Sequence, residues 1–334
     1  MGNEASRPIA LVFLGCGRAT QMHSRTLSKL DSGVRLHYAS RDRDKAEGYR
    51  RTHGGVGAYG SYDAAIDDPN LDVVFVATPP PSHLPLTIRA LERGKDVIVE
   101  KPAFLQRADF AAARQAADRA GKSVFVAENY FYKPLTRRLK QILADGLIGD
   151  PLFVQVNALK QQKATGWRAD PLLTGGGGLF EGGIHWINFM ASLGLEVEGV
   201  TGHRAPGPIG DPGTTTNENV LVALRYAGGA LGSLSYSWDV PSRLGGLRMS
   251  KIYGRAGSLT FESNGLFVLL QGKRTRFYVP SLRDLAGYRA MFKDFLNAVR
   301  TGAPPGMTLD MAARDVDLVR EIYSASGGPA AEAS

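Results

Sequence analysis

A single cysteine, Cys16, stands among 334 residues. One thiol forms no intramolecular disulfide and furnishes no cysteine-rich zinc site, so a reducing, cytoplasmic setting is expected. Long apolar runs are missing too. The longest, residues 9–14 and 73–77, fall far short of the roughly 18 residues of a membrane span. The first eight residues lack the basic-then-apolar layout of a secretory leader, and no membrane partner is expected. An acidic surplus is also absent: 40 Lys and Arg face 32 Asp and Glu, a formal net charge of +8. That balance suits anionic partners, phosphate-bearing cofactors among them. The basic residues are dispersed, without aromatic interleaving or a DNA-binding motif, so nucleic acid is not expected as a partner. No internal repeat is present. What remains is an ordinary globular composition, 43% hydrophobic and 22% charged, which excludes wholesale disorder and coiled-coil architecture. The length predicts about two domains.

Residues 1–130 alternate continuous apolar runs with helical stretches. Strands are predicted at residues 8–14, 34–39, 71–77, 96–99 and 124–127, with helices at 18–30, 43–52, 82–93 and 107–120. Strands that are apolar throughout and separated by helices imply a parallel sheet covered on both faces, hence a doubly wound α/β domain. From about residue 131 to 326 the pattern changes. A helix at 135–145 leads to a strand at 152–159, a loop, a glycine run and a helix at 179–193. Strands then follow at 220–226, 230–238, 248–253, 258–262, 266–270 and 275–279, with turns such as Ala227-Gly228-Gly229 between them. Helices at 283–300 and 309–323 close an α+β domain with a large, mostly antiparallel open sheet. Residues 327–334 read as a disordered tail.

Gly15-Cys16-Gly17-Arg18-Ala19-Thr20 directly follows the first strand and opens the first helix. Gly15 permits the tight turn and Gly17 the close approach of a pyrophosphate. The N–H groups at Arg18 and Ala19 carry the helix's partial positive charge. Thr20 stands where a third glycine or alanine is usual, which predicts a slightly wider helix–strand spacing. The second strand ends at Ser40-Arg41-Asp42-Arg43. A hydroxyl residue followed by arginine favours a 2′-phosphate, so NADP is the preferred cofactor, while Asp42 keeps NAD open.

Three further segments carry chemistry: Thr78-Pro79-Pro80-Pro81-Ser82-His83, Val99-Glu100-Lys101-Pro102, and the run from Gly175 to Gly178 leading to Glu181 and His185. Residues 181 and 185 are one helical turn apart and project the same way. A lysine at the C-terminal end of a strand beside a cofactor crevice is open to partial desolvation and a lowered pKa. Two candidate ligands at helical spacing fall short of a catalytic zinc site, so no metal is expected. Lys160 and Lys163 could meet an anionic substrate or remain solvated loop charges. The alternation of Leu234, Tyr236 and Trp238 reads as one face of a sheet and a candidate oligomer interface.

These segments together resemble the glucose–fructose oxidoreductase / inositol dehydrogenase / rhizopine catabolism (Gfo/Idh/MocA) family over nearly the whole chain. The resemblance implies that Lys101 is the catalytic lysine, contacting nicotinamide ribose and substrate. It implies that Glu100 holds the nicotinamide end and that Thr78, Pro79 and His83 line the cofactor. His185 matches the family histidine that bonds or exchanges a proton with the reacting hydroxyl. Glu181 replaces the usual aspartate, and its extra methylene shifts the carboxylate by ~1.5 Å, enough to alter substrate register. Trp167 and Arg168 match a pair that reaches cofactor or substrate. Asn129, Tyr132 and Lys133 fall where relatives place polar contacts, Asn129 toward the cofactor and Tyr132 toward the substrate. The implied protein is an NAD(P)-dependent dehydrogenase acting on a secondary alcohol of a sugar, sugar derivative or cyclitol in an inter-domain cleft. It is expected to form a homodimer or homotetramer through the second-domain sheet. Which of Lys101 and His185 moves the proton stays open. Two alternatives remain, a redox-neutral, nicotinamide-assisted glycosidase, dehydratase or epimerase, and a dinucleotide-binding sensor.

Overall fold

Runs of Val, Ile, Leu and Phe with no polar alternation bury both strand faces, and this governs the first half of the chain. The computed structural model describes residues 7–30, 33–205, 218–241 and 246–326; the expected tail at 327–334 lies outside them. Among the described residues, no helix is long and apolar enough to cross a membrane. The chain divides into two compact units, one of residues 1–127 and 288–310, the other of residues 128–287 and 311–334.

The first unit runs β1 (Ile9–Leu14), α1 (Arg18–Leu27), β2 (Val34–Ala39), α2 (Arg43–His53), β3 (Gly57–Tyr59), α3 (Tyr62–Ile66), β4 (Val73–Val76), α4 (His83–Glu92), β5 (Asp96–Val99), α5 (Arg107–Ala120) and β6 (Val124–Val126). Its six strands are all parallel, in the order β3-β2-β1-β4-β5-β6. The order reverses between β1 and β4, and such a switch point opens a crevice at the carboxyl ends of the strands. Register sets the depth of that edge: Leu14 pairs with Val76, and Val76 with Val99. The segments beginning at Gly15, Ala77 and Glu100 therefore leave the sheet at one level. Thr20 is fully buried and its hydroxyl donates to the Gly15 carbonyl at 2.6 Å.

The second unit contains α6 (Asn129–Tyr132), α7 (Pro134–Ala144), β7 (Pro151–Leu159), α8 (Pro171–Thr174) and α9 (Ile184–Ala191). It continues with β8 (Val197–Arg204), β9 (Asn219–Tyr226), β10 (Leu231–Ser237), β11 (Met249–Gly254), β12 (Gly257–Glu262), β13 (Val268–Gln271) and β14 (Thr275–Tyr278). The eight strands form one sheet, β14-β13-β12-β11-β7-β10-β9-β8, antiparallel except where β10 runs parallel to β7. Of the two closing helices, α10 (Tyr288–Thr301) belongs to the first unit, while nearly all of α11 (Leu309–Ala325) belongs to the second. Met291, Phe292, Phe295 and Leu296 form a buried face on α10, and Phe292 and Phe295 meet Phe75 and Phe125 of the parallel sheet.

The expected interface face needs correction. Leu234, Tyr236 and Trp238 are at most 2% exposed and form part of the second unit's core. The opposite face is the open one. Leu231 pairs with Phe153 and Phe153 with Tyr253, and this cross-strand row is 36–49% exposed.

Candidate functional site

The turn after β1 is tight and its helix start is uncapped. Gly15 has φ +102°, and a Cβ there would meet the Ala77 carbonyl at 2.7 Å, so only glycine serves. Gly17 begins α1 with no side-chain cap and no acidic residue in the first turn, and the space where its Cβ would lie is open. Uncapped N–H groups facing open space fit a pyrophosphate. At the tip of β2, the Asp42 carboxylate caps α2 by accepting from the Asp44 and Lys45 amides at 3.0 and 3.2 Å. Arg41 is exposed beside it and Ser40 is buried.

The Glu-Lys-Pro segment is pinned at both ends. The Glu100 carboxylate pairs with His23 Nε2 through one oxygen and accepts the Lys101 amide at 3.0 Å through the other. Burial alone would raise this carboxyl, but its pairing with His23 and the nearby Lys101 outweigh it and hold it down at about 2. At the far end, His83 Nδ1 lies 3.1 and 2.9 Å from the Pro102 and Ala103 carbonyls, and Nε2 lies 2.8 Å from that of Thr78. His83 is 1% exposed. Expected to line the cofactor, the ring lies buried among carbonyls of two loops; burial pulls its pKa down, and the neutral ring has one N–H to donate among them. Thr78 accepts from the Ser82 hydroxyl at 2.7 Å, and Pro79 begins the turn that enters α4.

In the second unit, the glycine run leads into a π-turn, Leu179–Gly183, before α9 begins. A continuous helix over 179–193 was predicted. The wider turn arises where a Cβ on Gly182 would meet the Trp238 ring at 2.5 Å and the Tyr236 hydroxyl at 2.7 Å. Glu181 and His185 are thus set by a π-turn rather than by plain α-helical spacing, a distortion common at functional sites. The Glu181 carboxylate is buried, and Arg168 Nε donates to it at 2.6 Å. Trp167, beside Arg168 on a short 3₁₀ turn, is 36% exposed.

His185 Nδ1 lies 2.7 and 2.9 Å from the two oxygens of Glu128, a residue only 2% exposed. Its ring stacks on Tyr130 at 4.5 Å. The Lys133 ammonium stands 4.3 Å from the centre of the same Tyr130 ring and is itself buried. Burial, then the charge of Arg248, pull that ammonium down to about 8. A carboxylate on one imidazole nitrogen fixes the tautomer and aims the other nitrogen, the arrangement of a general acid–base.

Asn129 and Tyr132, expected near cofactor and substrate, are both buried. Asn129 is 3% exposed and donates to the Ala286 carbonyl at 2.6 Å, and Tyr132 is 6% exposed. Both lie on the short helix α6. Lys160 is half-buried, 5.8 Å over the Trp238 ring, and Lys163 is exposed. Two buried carboxylates beside these residues carry no mark in the sequence. Glu128 stands 57 residues from His185. Glu218, also buried, receives the Leu179 amide and the Tyr323 hydroxyl, each at 2.9 Å, and Arg204 at 2.8 Å, fixing the start of the π-turn. Residues 128–129 stand one residue beyond β6, and their place after the last parallel strand is the signal available for Glu128.

Residues 9–128 match the oxidoreductase family with an NAD-binding Rossmann fold, and residues 136–260 match the GFO/IDH/MocA C-terminal domain. The chain is 30% identical over 209 residues to trans-1,2-dihydrobenzene-1,2-diol dehydrogenase of Oryctolagus cuniculus, covering 60% of this chain and 59% of that protein. The match therefore spans about three fifths of that relative's length. With the Xenopus laevis protein of the same name it is 29% over 264 residues, 76% of each. Among solved structures, aldose-aldose oxidoreductase from Caulobacter crescentus, complexed with glycerol, superposes with a TM-score of 0.84 at 23% identity, covering 96% of this chain and 98% of that one. Levoglucosan dehydrogenase in complex with NADH and levoglucosan does so at 0.82 and 21%, covering 96% and 97%. These two likenesses establish the fold. With both of its domain types matched in order along the chain, the protein belongs to the Gfo/Idh/MocA oxidoreductase family.

Proposed function

We propose that this chain is a dehydrogenase that uses NADP in preference to NAD and acts on a secondary alcohol of a sugar, sugar derivative, cyclitol or related diol. The carrying observation is the common level at which Gly15, Ala77 and Glu100 leave the parallel sheet, beside the uncapped start of α1. Gly15, Gly17 and the amides at Arg18 and Ala19 hold the pyrophosphate in this reading, with Thr78, Pro79 and Lys101 toward the nicotinamide end. When bound, the nicotinamide supplies hydride acceptance and return. Lys101 exchanges the hydroxyl proton as the carbinol carbon becomes a carbonyl, and His185, oriented by Glu128, binds the substrate hydroxyl. Glu181 and Arg168 act as a pair that limits which substrates enter. The reading is tested by screening sugars, cyclitols and the dihydrodiol and levoglucosan named for its relatives, following the absorbance of reduced nicotinamide. No turnover with either coenzyme across that set ends it.

The cofactor preference rests on Asp42, whose carboxylate is engaged in capping α2, and on the exposed Arg41. A guanidinium–phosphate contact is worth about 1.5–3 kcal/mol. Arg41→Ala is expected to lower kcat/KM for NADP by at least about tenfold and to leave that for NAD within twofold. Equal losses for both coenzymes would assign Arg41 no part in the choice.

In the same reading the enzyme is cytoplasmic and self-associates through the open sheet face. The row Leu231–Phe153–Tyr253 forms an exposed apolar stripe along the middle of the eight-stranded sheet. Phe153→Asp is expected to convert a dimer or tetramer to monomer in sedimentation velocity, with the circular dichroism spectrum unchanged. An unaltered mass would put the interface elsewhere.

A further inference from the structure

His23 is the most enclosed imidazole outside the residues assigned so far. It lies on the buried side of α1, six residues beyond Gly17, and its side chain is 1% exposed. Three rings close around it: Phe75 at 4.9 Å, Tyr288 at 5.3 Å and Phe292 at 5.4 Å between centroids. Among the described residues its Nδ1 has no hydrogen-bond partner, while Nε2 faces Glu100. That arrangement places a ring proton on Nε2, donated to the carboxylate. A hydrogen bond to a carboxylate inside an apolar box is shielded from competing water, so it holds geometry firmly.

The carboxylate passes the constraint on. One Glu100 oxygen takes the His23 proton and the other takes the Lys101 amide at 3.0 Å. The backbone of residue 101 is thereby referred to α1, the helix whose first turn fits the pyrophosphate. His83 secures the other side of the same loop. We propose that His23 is a positioning residue for Lys101: through Glu100 it aims the lysine and ties it to the coenzyme-binding helix. This rests on the reading of Lys101 as the group that exchanges the proton.

Release of Glu100 from His23 would free its carboxylate to turn toward the Lys101 ammonium, lowering that amine's nucleophilicity. Two neutral substitutions separate positioning from simple filling of the box. The amide nitrogen of glutamine reproduces the place of Nε2 and that of asparagine the place of Nδ1. His23→Gln can therefore still donate to Glu100, and His23→Asn cannot. The first readout needs no substrate: the full-length protein is treated with acetic anhydride, and acetylation at each lysine is followed by peptide mass spectrometry. In His23→Asn, Lys101 is expected to label at least about threefold more slowly, with Lys45 and Lys122 unchanged, and in His23→Gln at close to the native rate. With a turned-over alcohol in hand, His23→Asn is expected to lose about 10–100-fold in kcat, with the KM for coenzyme moving less than about threefold.

Equal labelling of Lys101 in native, Asn and Gln proteins, each folded by circular dichroism, overturns the proposal. So does an equal kcat loss in Asn and Gln, which marks His23 as packing alone. Lys101→Met measured in parallel separates the two claims. If that variant turns over normally, the reading of Lys101 fails. If it is inactive while His23→Asn behaves as native, only the role of His23 fails.

Discussion

Lys101→Met is expected to lower turnover by about 10²–10⁴-fold, the usual contribution of a positioned acid–base group. Methionine keeps the length and apolar stem of lysine but cannot carry or exchange a proton. The loop is expected to stay in place, because Glu100 binds the residue-101 amide and His83 binds the carbonyls of residues 102 and 103, and none of these contacts uses the side chain. Coenzyme affinity, read by fluorescence of the reduced nicotinamide, is expected to weaken less than about tenfold, or ~1.4 kcal/mol. Lys101→Arg separates charge from proton exchange. Its guanidinium is always protonated, so it restores electrostatic attraction but not a base. A low kcat in both variants with native-like coenzyme binding in the Arg variant assigns Lys101 to proton transfer. Native turnover in Lys101→Arg would reduce the lysine to a fixed charge.

The second large effect is expected at Glu128. Its carboxylate reaches His185 Nδ1 with both oxygens, and one of them also accepts the Tyr130 amide at 2.9 Å. Removing a buried carboxylate that orients an imidazole leaves the ring free to rotate or to take the other tautomer, which costs far more than one hydrogen bond. Glu128→Ala is expected to reduce kcat/KM by about 10²–10³-fold, close to the effect of His185→Ala, and Glu128→Gln by about 10–100-fold. The double variant Glu128→Ala/His185→Ala should lose little more than either single variant, since groups that act as a unit are not additive. Additive losses would mean that the pair does not function together. Thermal unfolding of Glu128→Gln separates catalysis from stability. Its amide oxygen can still accept from Tyr130, so its Tm is expected to stay within a few degrees of native.

Much of this was legible because it is local. Strand β2, strand β5 and helix α5 coincide with the expected residues 34–39, 96–99 and 107–120. A short stretch rich in apolar and β-branched residues, or an alanine-rich stretch with 3.6-residue periodicity, expresses its preference within a few residues. The glycine turn after β1 and the Glu-Lys-Pro segment after β5 are likewise short segments whose residue types announce their chemistry. Family membership followed from those motifs in order along the chain.

What stayed hidden depends on partners remote in sequence. His23 meets Glu100 across 77 positions, Glu128 meets His185 across 57, and Glu218 meets Leu179 across 39. Each is a charged or titratable residue with no local pattern to mark it, and only folding supplies the neighbour that fixes its orientation. Tertiary packing also reversed local expectations. Apolar alternation along β10 showed that one face would be buried but not which, and the face with Tyr236 and Trp238 went inward. Those rings lie so close to Gly182 that a side chain there would collide with them, and the π-turn that carries Glu181 passes at this point. Helix α10 returned to the first unit because its Phe face found Phe75 and Phe125 there. Composition and short-range pattern thus determined the classes of element and the coenzyme turn. Long-range packing decided which carboxylate serves which histidine, because that choice is made by burial and pairing rather than by spacing along the chain.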